Sequence, residues 1–196
     1  MHYSIKSQFI EMFGDDLKGE TIKLSDLSEV ITKGTTPTTL GFDFVDDGIN
    51  FIKIECISDS YQFSKNKMLH ITAECDEKLR RSRLKENDIL FSIAGAIGRT
   101  AIVTNDILPA NTNQALAIIR LKKNSGLNVD FLNEMLHTEL ITKQVASKAN
   151  GAAQINLSLT DVGNFKVIVP FIERQTKFSK FIHQIDKSKY FEGGIP

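Results

Sequence analysis

The segment from Asp88 to Val103 limits the possible folds of this chain more than any other. Asp88-Ile89-Leu90-Phe91-Ser92-Ile93 is a β-rich apolar run, and Ala101-Ile102-Val103 is a second. Gly95 and Gly98 lie between them, in Ala94-Gly95-Ala96-Ile97-Gly98-Arg99-Thr100. Two glycines three apart at that position predict a tight turn with close backbone approach, so the two runs fold back as sheet strands. Ile49–Ile54 and Ala115–Leu121 read as further strands, and Val167-Ile168-Val169-Pro170 as a last short one.

Helical spacing surrounds this sheet. Ile5, Phe9, Met12 and Phe13 fall on one face of a helix over residues 2–13, stopped by Gly14. Ser25 reads as the N-cap of a short helix through Leu27, Val30 and Ile31, closed by Gly34. Thr35-Thr36-Pro37-Thr38-Thr39 cannot continue it and predicts an exposed polar loop. Val129, Leu132, Met135, Leu136, Leu140 and Ile141 share one face of a helix that ends at Asn150-Gly151. From residue 171 onward, Phe171, Phe178, Phe181, Ile182 and Ile185 form an apolar stripe among charged residues, which is suited to packing against another helix. The expected class is mixed α/β (α+β): one globular domain with a twisted, largely antiparallel sheet, peripheral helices and an amphipathic C-terminal helix.

A chain of 196 residues with 41% apolar side chains can bury a core. Lys+Arg and Asp+Glu balance at 24 each, which argues against strong non-specific binding to nucleic acid by the chain alone. The balance conceals an asymmetry: residues 1–98 carry 12 basic and 16 acidic side chains, and residues 99–196 carry 12 and 8. Arg80-Arg81-x-Arg83-x-Lys85 is the densest basic group, with Lys65, Lys67 and Lys78 before it. It reads either as a solvated surface or as a phosphate-contacting patch. No apolar stretch is long enough for a bilayer, and the N-terminus lacks a secretory apolar segment. Cys56 and Cys75, with no second pair, read as reduced thiols of a cytoplasmic protein.

The familiar catalytic signatures are missing. There is no G-x-G, no Gly followed by Lys, no G-x-S-x-G and no H-E-x-x-H. No glutamate begins an E-x-K, and no metal-ligand spacing occurs. A binding module is the simplest reading. A protein–protein adaptor and a hydrolase with an unsignalled site remain open as alternatives.

Several segments, in order, resemble a target recognition domain of the DNA specificity (S) subunit of type I restriction-modification systems. Lys23–Leu27 through Gly34-Thr35-Thr36-Pro37 resembles the opening helix and G-x-[ST]-P loop, and Gly48–Lys53 a strand of that family. Leu84–Ser92 through Gly95-Ala96-Ile97-Gly98-Arg99 resembles the "GDIL-S…G-x-x-G-[KR]" hairpin, with Asn87 in place of the usual Gly. Asn113-Gln114-Ala115 matches an "NQ" strand start. Val167–Pro170 followed by Glu173-Arg174-Gln175 resembles the approach to the conserved spacer helix, with one proline missing, and Ser7–Gly14 the sequence that follows the central spacer. The resemblance implies a division into residues 1–16 (the end of a spacer-helix region), 17–170 (the recognition domain) and 171–196 (the start of a spacer helix). It implies double-stranded DNA and the modification and restriction subunits as partners, with a homodimer through the terminal helices also possible. It further implies no catalytic residue, metal or cofactor in this chain, with S-adenosylmethionine and Mg-ATP on partner subunits. Two such domains joined by long helices make up a full specificity subunit, whereas this chain has one.

A reader of duplex DNA needs amides and guanidiniums at base edges, with cations at the surrounding phosphates. The candidates are Lys33, Thr35, Thr36, Thr38 and Thr39 in the first loop, Asn111 and Asn113 before a strand, and Arg99 at the glycine turn. Asn150, Gln154 and Asn156 follow the long helix, and Lys65, Lys67, Arg80, Arg81 and Arg83 make up the basic patch. Each has a structural alternative, and Gln114 in particular reads as a strand-end group.

Overall fold

The computed structural model describes residues 4–148 and 156–192. The chain enters through α1 (Ile5–Phe13), β1 (Ile22–Lys23), a single helical turn α2 (Leu24–Leu27) and β2 (Ser28–Lys33). Next come β3 (Ile49–Ile52), β4 (Leu69–Ile71), α3 (Ala73–Lys78), β5 (Ile89–Ser92), β6 (Thr100–Ile102), β7 (Ala110–Thr112) and β8 (Leu116–Leu121). Helices α4 (Val129–Met135), α5 (Glu139–Ala146) and α6 (Leu159–Gly163) precede β9 (Lys166–Val167) and α7 (Ile172–Glu192). No helix among the described residues is long and apolar enough to cross a membrane.

The expected mixed, largely antiparallel class holds, with the strands divided between two main sheets. The central sheet has the order β2-β8-β5-β6, and β4-β3-β7 forms a second. Within the second sheet β3 and β7 run parallel. Alternation along the central strands explains the layering. Ile89, Phe91, Ala117 and Ile119 face the helices, while Leu90, Leu116 and Ile118 face the second sheet with Ile52, Ile57 and Ala101. Both faces of β5 are covered, which is why Ile-Leu-Phe runs without a polar break. Cys56 and Cys75 are free buried thiols in two different clusters.

Phenylalanine ties the helical ends to this body. Phe9 and Phe13 of α1 meet Phe131 of α4 and Phe178 of α7, with ring centroids 4.8–5.7 Å apart. Phe178 and Ile182 of the predicted stripe are therefore buried within this chain, and Phe181 and Ile185 lie half-buried at the margin. Phe171 falls outside the stripe: it precedes α7 and is 80% exposed.

Two predicted helices take another form. Val30 and Ile31 lie in β2, paired with Arg120 and Ile119 of β8, because a β-branched run gains more from a sheet ladder than from a frayed helical turn. Gly34 is therefore not a helix stop. A Cβ built on it would lie 1.6 Å from the Thr112 carbonyl oxygen, so close backbone passage is what it permits. The long helix after Asn128 breaks at 136–138, where the Thr138 hydroxyl bonds back to the Met135 carbonyl and α5 starts afresh. Its expected end at Asn150-Gly151 lies outside the described residues.

Candidate nucleic-acid interface

Strand register collects the loops at one end of the central sheet. Lys33 pairs with Ala117, Ser92 with Leu116 and Phe91 with Thr100. Residues just after β2 and β5, and just before β6 and β8, consequently emerge side by side. Backbone bonds lock them together: Gly34 N–H to the Asn113 carbonyl (3.1 Å), Ile93 N–H to that of Ala115 (2.9 Å) and Leu157 N–H to that of Ile93 (2.9 Å). This end brings together Lys33, Thr35, Thr36, Arg99, Asn113, Gln114 and Asn156. Lys33 makes no ion pair among the described residues. Pro37–Leu40 form a short 3₁₀ turn rather than an open loop, with Thr38 and Thr39 exposed and Pro37 buried.

The polar groups here are held but not used up. The Thr36 hydroxyl donates to Gln114 Oε1 at 2.7 Å, which leaves the amide N–H₂ of this exposed side chain free to point outward. Gly95 and Gly98 adopt φ of 70° and 87°, as a turn this tight requires. Ser92 staples it, donating to the Ala96 carbonyl (2.5 Å) and accepting from Arg99 N–H (2.9 Å). The Arg99 guanidinium donates to the Ile57 carbonyl (3.2 Å) and to Asp59 (2.5 Å), and its other N–H groups remain available.

Beside Arg99, Tyr61 takes φ 62°, a left-handed conformation that costs a residue with a Cβ about 1–2 kcal/mol. Its ring lies on His137 at 4.0 Å and 16°, and such a stack returns about 0.5–1.5 kcal/mol. The Thr100 hydroxyl donates its one hydrogen to Asn133 Oδ1 (2.7 Å), so His137 Nε2, at 2.8 Å, must donate to the Thr100 oxygen. His137 is therefore the Nε2–H tautomer, and burial pushes its pKa down to about 4. An unfolded histidine protonates near pH 6.5, so the stability this site contributes is complete above that pH and falls away as the pH drops toward 4.

The basic patch lies elsewhere. Arg120 donates to the Arg83 carbonyl and pairs with Asp88, just before β5, whereas Arg99 follows it. The four residues of β5 hold the two ends about 10 Å or more apart. Arg83 is bound to Asp76 and Glu77 (both 2.6 Å), Arg80 to Glu77 (3.4 Å) and Lys65 to Asp106 (2.5 Å). Pairing with Arg83 first of all holds the Glu77 carboxyl below the ordinary range, and Lys65 does the same for Asp106. Arg81 and Lys67 are exposed and make no ion pair among the described residues.

Asn111 corrects the sequence reading. It is fully buried in β7, with its amide bonded to Ser82, Asp76 and the Leu79 carbonyl, so it faces no ligand. Asn113 accepts from Ala115 N–H at the start of β8. Asn150 and Gln154 lie outside the described residues, and Asn156 is exposed. Gln114, Asp59, Tyr61 and His137 were not singled out as ligand-facing from the sequence, yet all border this end. The adjacent Asn-Gln and the Arg99 turn were the available signals for the first two.

Residues 18–196 match the family model described as the type I restriction modification DNA specificity domain. The chain belongs to that family. The EcoBI specificity subunit of Escherichia coli is 33% identical over 144 residues, which is 73% of this chain and 30% of that protein. Among solved structures, the HsdS subunit from Thermoanaerobacter tengcongensis superposes with a TM-score of 0.64 at 19% identity, over 94% of this chain and 42% of that one. The type I S subunit from M. genitalium gives 0.60 at 14%, over 94% and 47%. These structural likenesses establish a shared fold, and the chain spans less than half the length of each of these relatives.

The specificity-domain motifs now have physical meanings. Asn87, standing where the family usually has Gly, adopts φ 68°, which asparagine tolerates better than most residues. Arg174 reaches Asp16 (3.0 Å) and the Met12 carbonyl and lies over the Phe13 ring. The buried Gln175 amide bonds Asn128 N–H and the Gly126 and Pro170 carbonyls. Arg174 and Gln175 thus clamp the start of α7 to α1 and to the N-cap of α4.

Proposed function

We propose that this specificity domain reads duplex DNA with the loop end of its central sheet, as the recognition element of a type I restriction-modification complex. The observation that carries this reading is the convergence of Lys33, the Thr36–Gln114 pair, Arg99 and Asn156 at one rigid edge, with hydrogen-bonding capacity left over. Side-chain amides and guanidiniums suit purine edges in the major groove, and each good pair discriminates by about 1–3 kcal/mol. Methylation and cleavage then belong to modification and restriction subunits, which supply S-adenosylmethionine and Mg-ATP, and this chain contributes no catalytic group. The balanced net charge fits such a division, because partners furnish much of the phosphate neutralisation. A cytoplasmic location follows from the same role.

The test uses the complex reconstituted with its modification subunits and a target duplex. Lys33→Ala, Arg99→Ala and Gln114→Ala are each expected to lower discrimination between target and random duplex by about fivefold or more. Arg80→Ala and Arg83→Ala, whose charges are already neutralised, are expected to leave it within about twofold. Unchanged recognition in all three loop-end variants would favour the adaptor reading.

A further inference from the structure

We propose that the Ser58–Gln62 turn is a base-reading element in which Asp59 and Arg99 together recognise one G·C pair, with Tyr61 stacked on His137 as the positioning residue. The inference rests on the DNA-reading role of the loop end and adds to Arg99 two residues, Asp59 and Tyr61, that no motif marks.

Three observations lead here. First, Asp59 is 90% exposed at the edge proposed to meet DNA. A carboxylate there is repelled by phosphates, and beyond its pair with Arg99 it offers an acceptor at that edge. In the major groove the exocyclic amine of cytosine is such a donor, and the guanine of the same pair presents O6 and N7 to an arginine. Arg99 and Asp59, already joined at 2.5 Å, offer the donor and acceptor side by side. Only one Asp59 oxygen holds a partner among the described residues, and the guanidinium keeps unused N–H groups.

Second, this turn is held from several sides although it is exposed. Arg99 grips the Ile57 carbonyl, the Ser58 hydroxyl accepts from Gln62 N–H at 3.1 Å, and Ile57 bridges to Phe63. Third, the turn contains an aromatic residue in a left-handed conformation, which a solvated connection would not select. Strained backbone concentrates where a ligand needs side chains fixed beforehand. The stack on His137, itself bonded to Thr100 beside Arg99, holds Tyr61 in place and with it the direction of Asp59.

Selection from a randomised duplex library by the reconstituted complex tests the proposal. The wild-type chain should enrich a site containing a G·C pair whose preference drops about tenfold, at that position alone, in Asp59→Ala and in Arg99→Ala. Asp59→Ala should also bind random duplex more tightly, because a repelling charge is gone, and loss of folding would not produce that gain. Tyr61→Gly should relax the same position, and Tyr61→Phe, which keeps the stack, should restore it. Without any mutation, 7-deazaguanine at that pair should weaken wild-type binding, whereas inosine, which keeps O6 and N7, should not. Base preferences unaltered in Asp59→Ala, or relaxed equally at every position, overturn the proposal. If Asp59→Ala alters no preference while Lys33→Ala and Gln114→Ala still weaken recognition, this inference alone fails. If none of these variants matters, the loop-end reading fails with it.

Discussion

Replacing Asp88 with alanine is expected to cost about 3–5 kcal/mol of folding stability. The carboxylate is fully buried and accepts three charge-assisted or backbone bonds. Arg120 Nε and one terminal nitrogen each donate at 2.7 Å, and Lys85 N–H donates at 2.8 Å. Alanine would strand the Arg120 guanidinium, itself only 18% exposed, against a low-dielectric neighbourhood. A domain of this size has about 5–15 kcal/mol in total, so the variant should unfold at markedly lower urea. The cost comes from breaking the pair rather than from lacking it. Asp88→Leu combined with Arg120→Leu should therefore recover much of the loss, since apolar groups of similar size often replace buried ion pairs without penalty. A single-variant cost under about 1 kcal/mol in urea melts would show that the pair is dispensable.

Gly34→Ala is expected to be nearly as damaging, by about 3 kcal/mol, for a steric reason. The added methyl would lie 1.6 Å from the Thr112 carbonyl oxygen and 2.4 Å from its carbon. Backbone cannot yield as a flexible side-chain tip does, so the end of β2 must peel away from the β7–β8 connection. That movement carries Lys33, Thr35 and Thr36 out of line with Gln114, and DNA discrimination should fall along with stability. Gly41→Ala is the matched comparison. It stands at φ 80° with open space around it, so only the left-handed penalty of about 1–2 kcal/mol applies and the loop keeps its place. Equal melting of the two variants would refute the close-approach argument.

How far the sequence could be read depended on how local the deciding interactions are. The Asp88–Val103 hairpin was legible because an apolar run covered on both faces and two turn glycines all lie within sixteen residues. β2 was not, because Leu27, Val30 and Ile31 satisfy helical spacing as well as a strand does. What decides it is a ladder with β8, nearly ninety residues away. Asn111 failed for the same reason: a polar residue near a strand looks like a surface ligand until Ser82, Asp76 and the Leu79 carbonyl surround it. The basic run reads either as a solvated surface or as a phosphate-contacting patch, and the pairing of Arg83 within it was within reach of the sequence. Asp76 and Glu77 stand seven and six residues before Arg83, near enough in sequence to expect pairing. The conformation of Tyr61 had no sequence signal, since its stack depends on a histidine from the break between α4 and α5. At the candidate site, the first loop, the glycine turn and the Asn-Gln strand start each carry a family motif, and the strand register sets them side by side. Which side chains stay unpaired became visible only in three dimensions.

The most direct measurement of where DNA meets this domain is amide hydrogen exchange of the reconstituted complex, with and without its target duplex. Backbone amides in residues 34–40, 94–99 and 113–115 should slow on binding, while those in residues 80–87 exchange as before. Protection of 80–87 with no change at the three loops would place the DNA at the opposite end of the sheet and contradict the account.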